Sequence, residues 1–334
     1  MKQRLLSYIA CTQCGTGFDV EVEHEVNGEI LEGSLRCRGC QSSFPVIRGI
    51  PRFLPAELSA AKQATAEAFG YEWTHYTELT DADREEFLDW IKPLDESTFA
   101  NRVVLDGGCG KGRHLFLSAK FGASEAIGID LSDAVESAFK NTRHLPNVHV
   151  IQADIYYLPF LSSFDFAYSI GVLHHLPDPK AGFLSLVTKL KPGGRIATWV
   201  YGSEGNRWIE LFVDPVRIHV TSKLPKFITH VLSFLLAIPL YLALKLVYLP
   251  ASRLPWLASI KRRLPYSDYL CAISVYSFAE NFWNVFDHLV APTAFYHRRE
   301  EIEDWFATAK LAQVEITARN SNSWRGTGVK ELKD

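Results

Sequence analysis

The sequence predicts an α/β protein with a doubly wound, mostly parallel sheet, and three observations carry that expectation. Strand-like β-branched runs and helix-compatible stretches alternate from residue 101 onward, at 103–105, 113–120, 126–129, 133–142, 148–152, 164–170, 181–190 and 195–201. Such alternation specifies a parallel sheet covered by helices on both faces. Between the first strand and the first helix, Gly107, Gly108, Gly110 and Gly112 fill four of six positions, so the backbone can bend sharply and come close to a ligand. Three successive strands end in acids, Asp106, Asp130 and Asp154, at the carboxyl edge where open α/β sheets bind ligands.

The flanking elements follow in order. Cys11-x-x-Cys14 and Cys37-x-x-Cys40 are two identical pairs separated by 22 residues, a spacing that lets two tight turns present four thiolates to a tetrahedral ion. The stretch between them, with Val20, Val22, Val26, Ile30 and Leu35, alternates as a short β-hairpin does. A ribbon of about 40 residues buries too little surface to fold alone, so a structural Zn²⁺ would supply its folding energy. Pro45, Pro51 and Pro55 punctuate the segment 44–55, which reads as an extended linker with the domain boundary near residue 55. Helix-forming composition marks 60–69 and 82–90. The helical pattern resumes at 300–310, and 313–318 with 324–330 read as a terminal hairpin.

In 334 residues, 47% hydrophobic and 22% charged side chains are the composition of a soluble globular protein, against disordered, collagen-like and multi-span membrane chains. A net charge of −3 gives no overall electrostatic footprint for nucleic acid. Six cysteines are too few for a disulfide scaffold, and residues 1–8 hold no apolar signal core, which makes the cytosol the expected compartment. The glycine loop lacks the Gly-Lys-Ser/Thr ending of a phosphate-binding loop, which disfavours nucleotide triphosphate hydrolysis. Asp106 at the strand end would repel a pyrophosphate and suit a cationic ligand. Asp130, about 20 residues beyond the glycines, is placed for ribose hydroxyls, and Asp154 offers a polar group where an adenine lies.

LDGGCGKGRH (105–114), GIDLS (128–132), QADIYYLPF (152–160), FDFAYSIGVLHHLPDP (164–179) and LKPGGRI (190–196) together resemble the motifs of the class I S-adenosylmethionine-dependent methyltransferases. The resemblance covers roughly 69–201 and resumes at 296–330. It implies a Rossmann-like sheet of seven strands ending in an antiparallel hairpin, with S-adenosyl-L-methionine as cofactor. By the same resemblance Gly107, Gly108, Gly110, Asp130 and Leu131 hold the cofactor, Asp154 and Ile155 flank its adenine, and Ser169 and Ile170 lie beneath its methionine. Tyr71 and Trp73, in FGYEWTHY, close over it. The CxxC pairs with FPVIRGIPRFLP are similar to the zinc-ribbon module of some ribosomal-RNA methyltransferases and of small methyltransferase-activating proteins. One departure is informative: 169–172 lacks the Asn/Asp-Pro-Pro-Tyr/Phe pattern of enzymes that methylate exocyclic amines of nucleobases, which weakens a DNA-adenine type of function.

Methyl transfer from a sulfonium is an in-line displacement, so alignment supplies most of the catalysis, and a base matters only where the acceptor must lose a proton. His174 and His175 after the fourth strand, and Tyr296 and His297 farther on, are the candidates. About 95 residues separate the fifth strand from Tyr296, far beyond an ordinary crossover of a few to a dozen. Within them 215–267 holds eight basic and no acidic residues, and 227–244 is eighteen residues without a formal charge. The expected organisation is therefore a zinc ribbon and linker (1–55), a cofactor-binding core (56–204), an apolar, basic helical insertion (205–295) and the remainder of the core (296–334). A single membrane crossing would put two strands of one sheet on opposite sides of a bilayer, so the insertion reads as a lid over an apolar pocket, an interfacial element for anionic lipid, or a homodimer surface. The expected function is methylation of a small, hydrophobic or lipid-like acceptor by a cytoplasmic enzyme, peripheral at the inner membrane face. The alternative is a ribosomal-RNA methyltransferase that reads RNA with its ribbon. Six acids match the six basic residues of 1–55, so nucleic acid is the disfavoured partner. No spacing distinguishes oxygen, nitrogen and carbon as the methylated atom.

Overall fold

The computed structural model describes residues 1–332. Its strands are β1 (Phe18–Val26), β2 (Glu29–Cys37), β3 (Ser43–Ile47), β4 (Ile50–Phe53), β5 (Val103–Gly107), β6 (Glu125–Asp130), β7 (Val148–Ala153), β8 (Phe164–Ile170), β9 (Leu190–Tyr201), β10 (Leu311–Arg319) and β11 (Ser323–Lys330). The helices of the core are α1 (Ala60–His75), α2 (Ala82–Trp90), α3 (Arg113–Lys120), α4 (Ala134–Thr142) and α5 (Pro179–Thr188). The insertion carries α6 (Asp214–His219), α7 (Lys226–Ala243), α8 (Leu249–Arg253), α9 (Ala258–Lys261), α10 (Ser267–Ile273) and α11 (Phe278–Val290), and α12 (Arg299–Thr308) returns to the sheet.

The strands join into one sheet in the order β1-β2-β3-β4-β7-β6-β5-β8-β9-β11-β10. Strands β7, β6, β5, β8 and β9 are parallel, and β11 and β10 close that end antiparallel, which is the expected seven-stranded arrangement. The period-2 alternation of buried strands divides the core between the two faces. Leu105, Ile127, Ile151, Phe164 and Phe183 pack on one face, and Val104, Ala126, Val150, Phe166 and Phe87 on the other.

Two sequence expectations change. The segment 44–55 is not a linker but strands β3 and β4, and β4 pairs in parallel with β7 through Arg52↔Gln152 and Phe53↔Ala153. Pro45 and Pro51 are tolerated because these short strands pair through few residues. Phe44 and Phe53 stack around Phe18, with ring centroids 5.8 and 5.6 Å from it, so the ribbon shares its apolar core with the large sheet. The strand expected at 195–201 begins earlier, at Leu190, so Lys191-Pro192-Gly193-Gly194 runs inside β9. Its irregular pairing with β8, between Phe164 and Phe166, absorbs the proline and glycines.

Helix α1 is longer than its alanine-rich start suggests and lies against both α4 and α11. Ala68 is buried with Ala237, Phe282, Trp283 and Phe286 of the insertion, and Tyr71 packs against them. One helical stretch, 226–253, is long and apolar enough to cross a membrane by length and composition.

The ribbon is anchored by a buried guanidinium. Arg52 donates to Gln152 Oε1 at 2.7 Å and to Glu136 Oε1 at 2.5 Å, and Gln152 Nε2 in turn donates to the Leu131 and Ser132 carbonyls. Replacing Arg52 by Met leaves the buried Gln152 Oε1 without its donor and leaves Glu136 only its pair with Arg48 at 2.8 Å. Denaturant unfolding should show a loss of about 3 kcal/mol, and an unchanged midpoint would mean that this linkage is not what seats the ribbon.

Candidate active site

The carboxyl edge of the parallel strands is where the sequence folds into a cradle. After β5 the chain turns through Gly108 at φ +97° and Gly110 at φ +50°, and the Gly108 and Cys109 amides donate to the Ile129 carbonyl on the neighbouring strand. A Cβ on Gly108 would lie 2.4 Å from Val172 Cγ2, and one on Gly110 would lie 3.3 Å from Trp73 Nε1. Both the left-handed backbone and the lack of room therefore demand glycine here. Asp130 ends β6 and is fixed from two sides, accepting from the Gly110 amide at 3.0 Å and from the Ser132 amide and hydroxyl at 2.9 and 2.7 Å. Burial raises its pKa, and the Ser132 hydrogen bonds pull it back.

A cavity of about 270 Å³ runs from this cradle into a second chamber under the insertion. Of the residues singled out in the sequence, Trp73, Gly108, Gly110, Asp130, Leu131, Asp154, Ile155, Ile170, His175 and Tyr296 line it. Asp154 is 1% exposed, its carboxylate held by the Tyr156 amide at 3.0 Å and by Lys62 Nζ at 2.5 Å. Ser169 and Gly107 lie behind the wall, the Ser169 hydroxyl donating to the Gly107 carbonyl at 2.7 Å. Tyr71 stacks on His75 and Phe286 instead of facing the cavity.

Asp106 is placed differently from its expected role as a charge facing the ligand. It sits beneath the glycine turn, 1% exposed, and burial pushes its pKa up to about 8, so the carboxyl is protonated at neutral pH and repels no anion. His174 is fully buried and stacked on Tyr201 at 3.8 Å, outside the lining, and burial holds it neutral. His297 packs edge-on against Trp305 beside Glu301. Of the three candidate histidines His175 reaches the cavity, whose lining also holds His114 and His288. Its Nδ1 lies 2.6 Å from the Thr293 carbonyl, which makes Nδ1 the protonated nitrogen and leaves Nε2 as an acceptor. Burial lowers its pKa, so the ring is neutral at physiological pH.

The second chamber was not legible in the sequence. Trp90, Trp199, Tyr201, Tyr269, Tyr276 and Trp283 form aromatic walls, contributed by α2, β9, α10, the following turn and α11. Within them Asp287 receives the Tyr201 hydroxyl on Oδ2 at 3.3 Å, while its Oδ1 is buried without a partner. Glu72 on α1 is likewise buried, with Oε2 unpartnered, and burial together with the nearby Asp287 charge raises its pKa well above the usual carboxylate range. Arg113, ion-paired with Asp83 at 3.3 Å and Glu86 at 3.5 Å, supplies positive charge to the same wall. Only the acids at strand ends carry a local sequence signal; Glu72 and Asp287 sit mid-helix and read as ordinary helical charges.

The four ribbon cysteines converge. Their sulfurs lie within 4.8 Å of one another, with Cys11 and Cys40 3.6 Å apart and Cys14 and Cys37 3.3 Å apart. A tetrahedral Zn²⁺ with Zn–S bonds of about 2.3 Å holds its sulfurs about 3.8 Å apart, so the donors fit a structural zinc. Four thiolates complete its shell and leave no position for a reactive water.

Residues 105–198 match the family described as methyltransferase domain. The chain is 35% identical over 125 residues to a tRNA U34 carboxymethyltransferase of Pseudoalteromonas translucida, a match over 36% of this chain and 37% of that protein. A second protein of that name, from Psychromonas ingrahamii, is 37% identical over 128 residues, 36% of this chain and 38% of its own. The chain thus spans well under half the length of these relatives. Among solved structures, a Haloferax volcanii complex of the Trm112 methyltransferase activator with a methyltransferase aligns with 81% of this chain and 97% of its own at 15% identity and a TM-score of 0.46.

One zinc ion per chain is expected. Native mass spectrometry should find it, and Cys37→Ser should lose it together with part of the ribbon's folding stability. A metal-free wild-type protein with an ordered ribbon would contradict the assignment.

Proposed function

With a class I S-adenosylmethionine-dependent methyltransferase domain as its centre, the chain is, we propose, an enzyme that transfers a methyl-derived group to a planar, ring-bearing acceptor held between the core and the insertion. The observation that carries this reading is the continuity of the cavity: one end is the glycine and Asp130 cradle, the other an aromatic chamber with an unpartnered carboxylate oxygen. The cofactor brings an electrophilic carbon on a sulfonium. Gly108 and Gly110 would let it come close to the backbone, Asp130 would accept from its ribose, and Trp73, Leu131, Ile155 and Ile170 would enclose it. Asp154, clamped by Lys62, bounds the adenine side.

On the far side, Trp90, Trp199 and the tyrosines offer faces on which a ring stacks, and Asp287 Oδ1 accepts a hydrogen bond from an acceptor N–H or O–H. The cofactor would supply the transferred carbon and retain the sulfur as a neutral thioether, and His175 Nε2 would take the acceptor's proton where one must leave. Thr293 holds the other nitrogen protonated and so fixes the tautomer. Alignment of acceptor and cofactor between these walls would supply the larger part of the rate. Tyr296, whose hydroxyl lies 3.4 Å from Asp214 Oδ1, orients the chamber wall.

The relatives named for tRNA support a nucleic-acid acceptor better than the lipid-like acceptor expected from the apolar insertion, and they weigh against treating nucleic acid as disfavoured. A flipped-out base suits stacking walls of this kind. On the ribbon, Arg38 and Arg36 lie in exposed pairs with Asp19 and Glu21, so an RNA contact there would have to compete with those carboxylates. A small aromatic acceptor is the second reading, favoured by the aromatic walls and the apolar insertion above them.

Incubation with labelled cofactor and a cell extract divided into RNA, lipid and small-molecule fractions should place the label in one of them, and the mass increment distinguishes methyl from carboxymethyl transfer. Label in RNA establishes the nucleobase reading. Label in no fraction overturns the enzyme. Asp130→Ala should weaken cofactor binding by about 1.5 to 3 kcal/mol in a calorimetric titration, with the fold intact. Asp287→Asn should raise KM for the acceptor roughly tenfold while cofactor affinity stays constant.

The pH profile follows from His175. A lowered imidazole pKa keeps Nε2 free of a proton at and above the ordinary value of about 6.5, so kcat/KM should stay level as pH falls from about 8 to about 6.5. A loss of rate already complete at about pH 7 would assign the base elsewhere.

A further inference from the structure

The helix α7 is turned the wrong way for a protein surface in water. Thr229, Ser233 and Ala237, spaced four apart, are the residues it buries against the protein, and their small size lets α7 lie close along α11. Its large apolar side chains face outward: Phe227 is 66% exposed, and Val231, Phe234, Leu235, Leu236, Ile238 and Leu242 are exposed with it. The same facing continues past α7, where Leu246 is 72% exposed, and into the next turn, where Trp256 is 74% exposed. A water-facing helix buries its apolar stripe and exposes its polar one. This inversion is the pattern of a surface covered by something apolar.

The charge distribution says what covers it. Lys223 precedes the helix and Lys226 begins it, Arg253 ends its continuation, and Lys261, Arg262 and Arg263 follow, with no acid anywhere in 215–267. A second copy of the same face would bring these cations against one another without a counter-charge. An RNA would satisfy the cations but leave the leucines and phenylalanines in water. A bilayer surface with anionic headgroups meets both demands.

The attachments of the helix set its orientation. Thr221 Oγ1 donates to the Leu289 carbonyl at 2.8 Å just before α7, and Lys245 Nζ donates to the Ser274 and Tyr276 carbonyls at 2.7 and 2.8 Å just after it. Both ends are thus bound to α11 and the turn before it, and α11 with Ala237 of α7 packs on Ala68 of α1, which holds α7 along the protein and not across a bilayer. The 28-residue stretch 226–253, about 42 Å at 1.5 Å per residue, lies along the protein and presents its length, not its end.

We propose that the outward face of 226–263 is a monotopic docking surface for an anionic lipid bilayer, with the apolar side chains entering the headgroup boundary and the basic residues pairing with lipid phosphates. This placement does not depend on the identity of the acceptor.

The test uses the whole chain with vesicles of phosphatidylcholine alone or mixed with phosphatidylglycerol. The wild type should float with the mixed vesicles and be released by high salt. Leu235→Gln combined with Leu246→Gln, at exposed positions that leave the fold undisturbed, should abolish flotation, and Arg262→Gln with Arg263→Gln should lower the bound fraction about tenfold. Circular dichroism and cofactor affinity should match the wild type in all variants. Absence of flotation in the wild type overturns the proposal, as does a concentration-dependent dimer that the leucine variant dissociates. An RNA shift that survives the leucine changes and disappears with the arginines, without vesicle binding, overturns it as well.

Discussion

The guanidinium of Arg52 is the point on which the two halves of the sheet depend. Strand β4 pairs with β7 through only two residues, so side-chain and loop contacts complete the seat: Arg52 acts beside Lys2 Nζ, which donates to the Val148 carbonyl, and the backbone bonds Ala10 to Pro159 and Leu161 to Tyr8. Arg52 does so with hydrogen bonds that end at the loop after β6, since Gln152 links it to the Leu131 and Ser132 carbonyls. That loop also carries the Ser132 groups that hold Asp130. A metal-organised module is thereby placed one side chain away from the cofactor cradle, and its folding becomes part of the cradle's rigidity. The shared apolar core of Phe18, Leu35, Leu105 and Ile127 makes the same connection in the language of packing.

The site divides by origin. Its cofactor half comes from consecutive strand ends, where sheet geometry alone brings the glycine turn, Asp130 and Asp154 together. The half proposed for the acceptor is assembled from α1, α2, β9, α10 and α11, the first and last separated by more than two hundred residues of chain. Helix α1 belongs to both halves, because Trp73 lies over Gly110 while Tyr71 and Ala68 pack with the insertion. A displacement of the insertion would therefore move the cofactor's wall as well as the acceptor's.

This division also explains what could be read from the sequence. The parallel core, the terminal hairpin, the cysteine knuckles and the glycine–aspartate cradle each carry a short-range signature: a period, a spacing, or a residue that alone fits the backbone. The linker reading of 44–55 failed because prolines signal irregularity locally, whereas β4 owes its strand state to β7, a hundred residues away. The charge assigned to Asp106 failed for a related reason: ionisation depends on burial, and burial is a tertiary property. Glu72 and Asp287 left no trace in the pattern because each meets its surroundings only when α1 and α11 close on the sheet.

An eleven-stranded sheet has two open edges, and both are guarded. At one end, β1 is almost wholly exposed, and Asp19, Glu21, Glu23 and Glu25 line it, with pairing to β2 broken around His24. At the other, β10 is bent where its pairing with β11 slips between Ala312 and Glu315. A second strand laid along β1 would meet a row of carboxylates on a kinked backbone, and one laid along β10 would lose register after a few residues. A chain that also displays a large apolar helix face is therefore protected from the one kind of self-association that would be irreversible, edge-to-edge growth into fibres.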